Sequence, residues 1–218
     1  LAFLSADQNL DLEICGASPL DAWDQLVHLV EYTGQRNRLA MKNIGITLVS
    51  DLADMSDDKL AWLVENNIGI RAKVTTDALL AGESSTLDWL AKYAAARDEG
   101  GEGKSGISSE ISLLCTPQVL GAYEKVVEAA GTAGCRSIRL LTFESEQITA
   151  IDDGFTGCEL GAYLVFYGDV LDAIIDGDDG SNALVESGAA AYLKRIFDGE
   201  DGRGPQPEHR DQDRLAHS

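Results

Sequence analysis

Residues 43–77 read NIGITLVSDLADMSDDKLAWLVENNIGIRAKVTTD, and this stretch carries the clearest pattern of secondary structure in the chain. Residues 44–49 and 68–74 are short runs rich in β-branched side chains, which predicts a strand at each end. Between them, Ser56 is followed by two aspartates and an amphipathic run, a pattern typical of a capped helix. A strand, a helix and a second strand in so short a stretch predict two parallel strands joined by a right-handed crossover.

The same alternation continues on both sides of this stretch. The predicted strands are residues 10–15, 44–49, 68–74, 111–115 and 137–141. The predicted helices are the one that Ser56 begins and residues 20–32, 86–97, 118–130, 161–175 and 183–197, with Gly34 expected to end the first of them. About five parallel strands with outer helices predict an α/β fold, either an open doubly wound sheet or a partial (β/α) barrel. Both architectures bind ligands at the carboxyl ends of the strands.

The charge of the chain excludes some partners. The net charge is −20, from 37 acidic and 17 basic residues, and the carboxylates are spread from Asp7 to Asp213. This charge repels nucleic acid and anionic membranes, so neither is expected as a partner. Because high salt screens such self-repulsion, the composition favours a halophilic source. The sequence contains no bilayer-spanning apolar run and no signal-peptide pattern, so we expect a cytoplasmic protein.

The chain is expected to have three parts. Residues 1–160 are predicted to form the barrel core, residues 161–199 a C-terminal helical bridge, and residues 200–218 a disordered tail with too few apolar residues to order itself. The first residue is not Met, which suggests a start inside a longer reading frame or at an alternative start codon.

Residue spacing alone identifies no catalytic or metal-binding residue. The four cysteines lie far apart in the sequence: Cys15, Cys115, Cys135 and Cys158. Cys15 and Cys115 follow predicted strands and could face each other in a metal or redox site, although buried structural thiols are the simpler interpretation. The Gly-Lys-Ser at 103–105 lacks P-loop spacing, and the acidic runs at 152–154 and 176–179 lack the spacing of a calcium loop.

Three segments together resemble a known family. They are LDLEICGASPLDAWDQLVHLVEY at residues 10–32, the stretch at 43–77, and ISLLCTPQVLGAYEKVVEAAGTAGCRSIRLL at residues 111–141. In order and spacing they resemble strands two to six of radical SAM enzymes, over roughly residues 8 to 201. The C-terminal helices are similar to the bridge that leads to the extra cluster domain of peptide-modifying members. The maturases of His-Xaa-Ser peptide systems are the subgroup that the chain resembles most.

The resemblance implies a six-stranded partial (β/α) barrel of the radical SAM type, here lacking its first strand. It implies S-adenosylmethionine (SAM) and a 4Fe–4S cluster as family cofactors, and a peptide substrate. Residues 16–19 stand where the family has a Gly-Gly-Glu-Pro turn for the methionyl end of SAM, and later strand ends help to hold its ribose. The residues so implied to bind SAM are Gly16, Ala17, Ser18, Pro19, Ser50, Asp51, Thr75 and Asp77.

The departures from the family pattern predict lost chemistry. Ala17 and Ser18 replace a glycine and a glutamate of the turn, and residues 141–143 replace an Arg-Pro-Leu run. The family's Cys-x3-Cys-x2-Cys loop, which holds the cluster by three thiolates, lies upstream of Leu1 or is absent, and the cysteines of the extra cluster domain do not appear. We therefore expect a truncated or degenerate radical SAM protein, without SAM or cluster and not catalytic as this isolated chain. If a longer chain supplies the Cys-x3-Cys-x2-Cys loop, the resemblance implies instead an enzyme that carries out SAM-dependent radical modification of a peptide.

Two other functions remain open at this point. The chain could be a non-catalytic partner protein that binds a peptide or an active maturase, since a missing first strand would leave an open sheet edge. It could also be an unrelated hydrolase or isomerase barrel, although no nucleophile elbow and no His–acid pair supports that interpretation.

Overall fold

The structure, a computed structural model, describes residues 8–82, 84–98, 109–142, 158–177 and 184–197, with side chains up to residue 194. Contacts divide the chain into two compact units, Leu1–Ser187 and Gly188–Ser218. The division expected from the sequence at residues 160 and 199 stays a prediction. The loop at 99–108, the acidic turn at 152–154 and the tail at 200–218 lie outside the described residues.

Six strands form one sheet in chain order, and each strand runs parallel to its neighbours. The strands are β1 (Asn9–Ile14), β2 (Asn43–Ser50), β3 (Ile68–Val74), β4 (Ser109–Leu114), β5 (Ser137–Leu141) and β6 (Val185–Glu186). The helices are α1 (Trp23–Ala40), α2 (Asp57–Glu65), α3 (Thr76–Ala81), α4 (Ser85–Asp98), α5 (Tyr123–Thr132), α6 (Leu160–Asp176) and α7 (Ser187–Phe197). The predicted α/β class with parallel strands is confirmed.

Strands β1 to β5 match the five predicted strands, whereas β6 and α3 were not predicted. Strand β6 has two residues, both inside the segment 183–197 that was predicted as a single helix. Helix α3 has six residues and begins directly after β3, so it is too short to show a helical period. Helix α5 begins at Tyr123 rather than at 118, because a turn occupies residues 117–121. No described helix is long and apolar enough to cross a membrane.

Helix α1 corrects the prediction that Gly34 ends the first helix. The helix continues to Ala40 and is closed by Met41, whose backbone is left-handed at φ 48° and ψ 44°. Gly34 remains helical because a glycine ends a helix only where the chain takes a positive φ. The N–H of Met41 donates to the carbonyl of Asn37, and the Asn37 side chain exchanges two hydrogen bonds with the backbone of Lys42. These bonds, rather than the glycine, fix the end of the helix.

Replacement of Met41 by glycine is expected to stabilise the protein by about 0.5–1 kcal/mol, because a left-handed backbone is strained for any residue with a Cβ. The Met41 side chain is 82% exposed, so its loss removes little packing. Leu39 is a matched control, since it is 86% exposed but helical, and glycine there should cost about 1 kcal/mol. Urea unfolding measures both variants, and a destabilised Met41→Gly protein would contradict the assigned cap.

One face of the sheet packs against helices and forms the core. In β3, the core residues are every second side chain, Ile68, Ile70, Ala72 and Val74, and none is more than 4% exposed. Tyr93 of α4 is fully buried over this strand and donates its hydroxyl to the carbonyl of Ile68 at 2.7 Å. Burial raises the Tyr93 pKa to about 12, so this hydroxyl stays protonated and keeps donating at neutral pH.

The opposite face carries polar side chains at the alternating positions, and we call it the polar face. Side chains paired in register on parallel strands point to the same side of the sheet. Arg71 pairs with Glu110, and Lys73 pairs with Ser112, which pairs in turn with Arg139. The polar face is defined by Glu13 of β1, Arg71 and Lys73 of β3, Glu110 and Ser112 of β4, and Ser137 and Arg139 of β5.

Candidate functional site

All eight residues predicted to bind SAM lie at one edge of the sheet. The turn at 16–19 follows β1, Ser50 ends β2 with Asp51 directly after it, and Thr75 and Asp77 follow the end of β3. Strands β1, β2 and β3 are neighbours in the sheet, so their carboxyl ends are adjacent. The sequence therefore located a common edge, while the binding role of these residues stays a prediction.

The turn at residues 16–19 is exposed at its start and anchored at its end. Its first two residues are exposed and its last is buried. Ser18 Oγ donates to Asp54 Oδ2 at 3.4 Å, which connects the turn to the loop after β2. Lys73 Nζ, from the polar face of β3, donates to the carbonyl of Gly16 at 3.4 Å. The Ser18 hydroxyl thus holds two loops together.

Two carboxyl groups meet beside this turn. A hydrogen bond between Asp21 and Asp54, reinforced by the Asp21 charge, raises the pKa of Asp54, and the same bond lowers the pKa of Asp21. A shared proton therefore stays on Asp54 to a higher pH than on an isolated aspartate. Lys59 Nζ donates to the carbonyls of Leu20 at 3.1 Å and Asp54 at 2.8 Å. Because both carboxyl groups are exposed to solvent, we assign them to joining the loops after β1 and β2.

Most side chains at the ends of β2 and β3 accept hydrogen bonds from the backbone of the loops that follow. Ser50 Oγ accepts a hydrogen bond from the backbone N–H two residues later, at 3.1 Å. Thr75 Oγ1 caps α3 by accepting from the N–H three residues later, at 3.2 Å. Asp51 is exposed, but its Oδ1 accepts from the N–H of residue 53 at 3.2 Å. Asp77 is exposed, and its side chain makes no hydrogen bond or ion pair within the described residues, so it is available to a ligand.

The four cysteines do not gather at this edge. Cys15 is exposed, whereas Cys115 is 1% exposed within the core, so the two do not form the shared site that the sequence left open. Burial raises the pKa of Cys115 and of Cys135 to about 12, and it also raises the pKa of Cys158. The Cys158 thiol donates to the carbonyl of Cys115 at 3.0 Å. Such thiols stay protonated at neutral pH, whereas metal binding requires thiolates.

Cysteine labelling is expected to separate these thiols. At about pH 8, Cys15 should react with a small maleimide at once, while Cys115 and Cys135 should react only after unfolding, because a buried thiol with a raised pKa supplies almost no thiolate. Mass spectrometry of peptides after timed labelling measures each site. The Cys15→Ser variant should lose the fast phase, and rapid native labelling of Cys115 would contradict its buried position.

A cluster of paired charges crosses the polar face. Arg71 Nη1 donates to Glu13 Oε1 at 2.5 Å, and Arg71 Nε donates to Glu110 Oε1. Arg139 Nε lies 3.5 Å from the same oxygen, and Ser137 Oγ donates to the other Glu110 oxygen at 3.2 Å. The side chains of Glu110 and Arg71 are only 8% and 13% exposed. The cluster joins β1, β3, β4 and β5, and pairing offsets the desolvation of its charges.

Sequence reasoning missed these polar-face residues, although a signal was present. A parallel strand covered on both faces reads as a continuous apolar run, whereas β3 reads IGIRAKV and β5 reads SIRLL. The charges at alternate positions indicated one apolar and one polar face. Their pairing was not visible, because Arg71 and Glu110 are 39 residues apart in the chain.

The fold matches solved structures of one radical SAM peptide-modifying enzyme, anSMEcpe. Native anSMEcpe with bound AdoMet and Cp18Cys peptide gives a TM-score of 0.68 at 13% identity, covering 90% of this chain and 55% of that chain. The same enzyme with bound AdoMet gives 0.67 at 13%, covering 91% and 55%, and its histidine-tagged form with AdoMet gives 0.68 at 12%, covering 90% and 55%. No family model and no curated protein matches the sequence.

These likenesses show the fold, which is an α/β partial barrel of the radical SAM type, as predicted. The chain spans 55% of the length of each of those structures. The activity, cofactors and substrate of the whole enzyme therefore enter as proposals.

Proposed function

We propose that this chain is a degenerate radical SAM protein, related to the peptide-modifying enzymes, that does not assemble a 4Fe–4S cluster by itself. The arrangement of the cysteines carries this proposal. All four lie in the described part of the chain, and no three His, Cys, Asp or Glu side chains there are grouped to hold a metal ion. A radical SAM cluster needs three thiolates on one short loop, so the described residues do not fit it.

The carboxyl ends of β1, β2 and β3 also present fewer free polar side chains to SAM than the family pattern would. We propose that residues 16–19 are a vestige of the methionyl-binding turn, since Ala17 has no polar side-chain atom and Ser18 is bonded to Asp54. Ser50 and Thr75 are likewise engaged by their own loops. Asp77 remains as an acceptor for ligand hydroxyl or ammonium groups. With few free groups, tight binding of SAM is not expected.

Two finer assignments rest on the sequence alone. We propose kinship with the maturases of His-Xaa-Ser peptide systems, on the order and spacing of the segments at 10–32, 43–77 and 111–141. We also propose a halophilic source, because the net charge of −20 is spread along the whole chain. High salt screens the resulting self-repulsion. The cytoplasmic location expected from the sequence stays a prediction.

Anaerobic reconstitution tests the central proposal. The purified chain is incubated with iron and sulfide in high salt, its visible absorption is recorded, and SAM binding is measured by calorimetry before and after. We expect neither a cluster band nor heat from SAM. An active radical SAM enzyme that tolerates the same salt is the positive control. A stable cluster whose formation is abolished by Cys15→Ser would overturn the proposal, because it would show that the chain supplies cluster ligands.

The retained function is then the binding of a peptide, or of an active maturase that handles the peptide. The polar face supports this proposal, since it presents charged groups of both signs beside the strand ends. Among the described strands, β1 pairs only with β2, which leaves an edge that another chain can join. Light scattering in molar salt distinguishes the two partners. A stoichiometric complex with a maturase supports a partner role, and a peptide-only complex supports direct peptide binding.

A further inference from the structure

Three polar side chains form a row across the polar face. The row lies two residues nearer the carboxyl ends of the strands than the Arg71–Glu110 pair. Lys73, Ser112 and Arg139 are paired in register on the adjacent strands β3, β4 and β5. Ser112 lies between the two cations. The residues beside Ser112 in β4, Ile111 and Leu113, point into the core, which leaves its hydroxyl on the polar face.

Each member of the row has hydrogen-bonding capacity to spare. Ser112 is 6% exposed, and its hydroxyl has no partner among the described residues. A buried hydroxyl without a partner is costly and rare in folded proteins. Arg139 uses only its Nε, 3.3 Å from Ser187 Oγ, so its two terminal amino groups donate to no described residue. Lys73 is exposed, and its ammonium makes one long contact, 3.4 Å from the carbonyl of Gly16.

The charges around the row favour a negatively charged ligand. Arg71, Lys73 and Arg139 are the cations of this cluster, and Glu13 and Glu110 are its carboxylates. Lys73 and Arg139 flank Ser112 and are the two cations of the row itself, in a chain whose net charge is −20. Each Glu110 oxygen already has a partner, Arg71 on one and Ser137 on the other. A planar anion can bridge the two cations of the row, and the fork of Arg139 suits a carboxylate.

We propose that Lys73, Ser112 and Arg139 bind a carboxylate group of a peptide, either an acidic side chain or the C-terminal carboxylate. This assignment rests on the peptide-binding function proposed above. Arg139 donates from its terminal amino groups, Ser112 donates its hydroxyl, and Lys73 supplies the second positive charge. The ligand thereby satisfies the buried hydroxyl.

The test uses an alanine-rich peptide that ends in glutamate with a free C terminus, and a matched peptide that ends in glutamine amide. Both are titrated by calorimetry at the lowest salt at which circular dichroism shows a folded chain, because salt screens the attraction. Only the acidic peptide is expected to bind. Arg139→Gln and Lys73→Gln should each weaken its binding about tenfold, the loss of one charge-assisted hydrogen bond. Lys92→Gln, an exposed cation of α4, removes the same charge and should leave binding unchanged.

Ser112→Ala separates binding from structure. This variant should weaken binding of the acidic peptide. It should leave the unfolding midpoint of the protein unchanged or higher, since it removes an unpaired buried hydroxyl. A purely structural serine would instead lower the midpoint without changing affinity.

The remaining outcomes separate this site from the wider function. Equal binding of both peptides, unaffected by Arg139→Gln, would overturn the carboxylate site and leave peptide binding intact. If neither peptide binds, free glutamate is titrated into the protein and the NMR signal of the Arg139 side-chain N–H is followed. A saturable shift would then keep the site and reject the peptide, and no shift would overturn both. If SAM binds, loses affinity in Arg139→Gln and is not displaced by the acidic peptide, the peptide assignment is wrong.

Discussion

Replacement of Phe166 by alanine is expected to lower the free energy of unfolding by about 3–5 kcal/mol, the usual cost of deleting a buried aromatic ring. Phe166 is 1% exposed, and with Val170 it supplies the fully buried residues by which α6 joins the core. On the same helix, Tyr167 donates to the buried carboxylate of Glu186 in β6 at 2.5 Å. The change is measured by urea unfolding followed by circular dichroism in high salt. A loss of this size would place α6 in the same cooperative unit as the sheet.

Leu164 gives the matched control for this change. It lies on the same helix but is 57% exposed, so Leu164→Ala should change stability by no more than about 0.5 kcal/mol. Equal losses in the two variants would show that α6 packs through a different face. A near-zero effect of Phe166→Ala, with an unchanged transition, would show that the sheet unfolds independently of α6.

Replacement of Arg71 by methionine is expected to cost about 2–3 kcal/mol, because it leaves a buried carboxylate without its main partner. Methionine keeps much of the length and none of the charge. The expected cost is below the full penalty for breaking a buried ion pair, since Arg139 remains 3.5 Å from Glu110 and Ser137 still donates to it. Thermal and urea unfolding of the purified variant measure the loss.

Two further variants isolate the charge effect. Arg136→Met removes a cation whose partner, Asp98, is 3.8 Å away and exposed, and such surface pairs contribute at most about 1 kcal/mol. The double variant Arg71→Met with Glu110→Leu should recover part of the stability, because it removes the buried carboxylate as well. If the double variant instead has a lower free energy of unfolding than Arg71→Met, Glu110 contributes to stability independently of Arg71.

Local signals were sufficient for β2, α2 and β3. Ser56 caps α2 by accepting from the N–H of Lys59 at 3.3 Å, as its sequence context indicated. The end of α1 was predicted wrongly, because a glycine marks a possible stop but does not compel one. Contacts of Asn37 with Lys42, beyond the reach of a single-residue rule, close that helix at Met41. Strand β6 could not be predicted, since it exists only where Val185 and Glu186 pair with β5.

For the candidate site, the sequence located the edge but not the side chains that are free to act there. Ser50 and Thr75 looked available as ligand-binding groups, yet each accepts a hydrogen bond from a nearby backbone N–H. Ser112 belongs to no recognisable sequence pattern, because a lone serine in a strand is common. Its importance comes from its register between Lys73 and Arg139.

The α/β class, the positions of five strands along the chain and the location of their carboxyl ends follow from the sequence alone, because hydrophobic period and capping act over a few neighbouring residues. Which faces meet and which polar groups remain unpaired follow from the packing of the whole chain. The register of β3, β4 and β5 joins Arg71 to Glu110 and aligns Lys73, Ser112 and Arg139. Parallel strands are brought together across long crossovers, so these juxtapositions depend on the packing of the whole sheet and leave no local trace in the sequence.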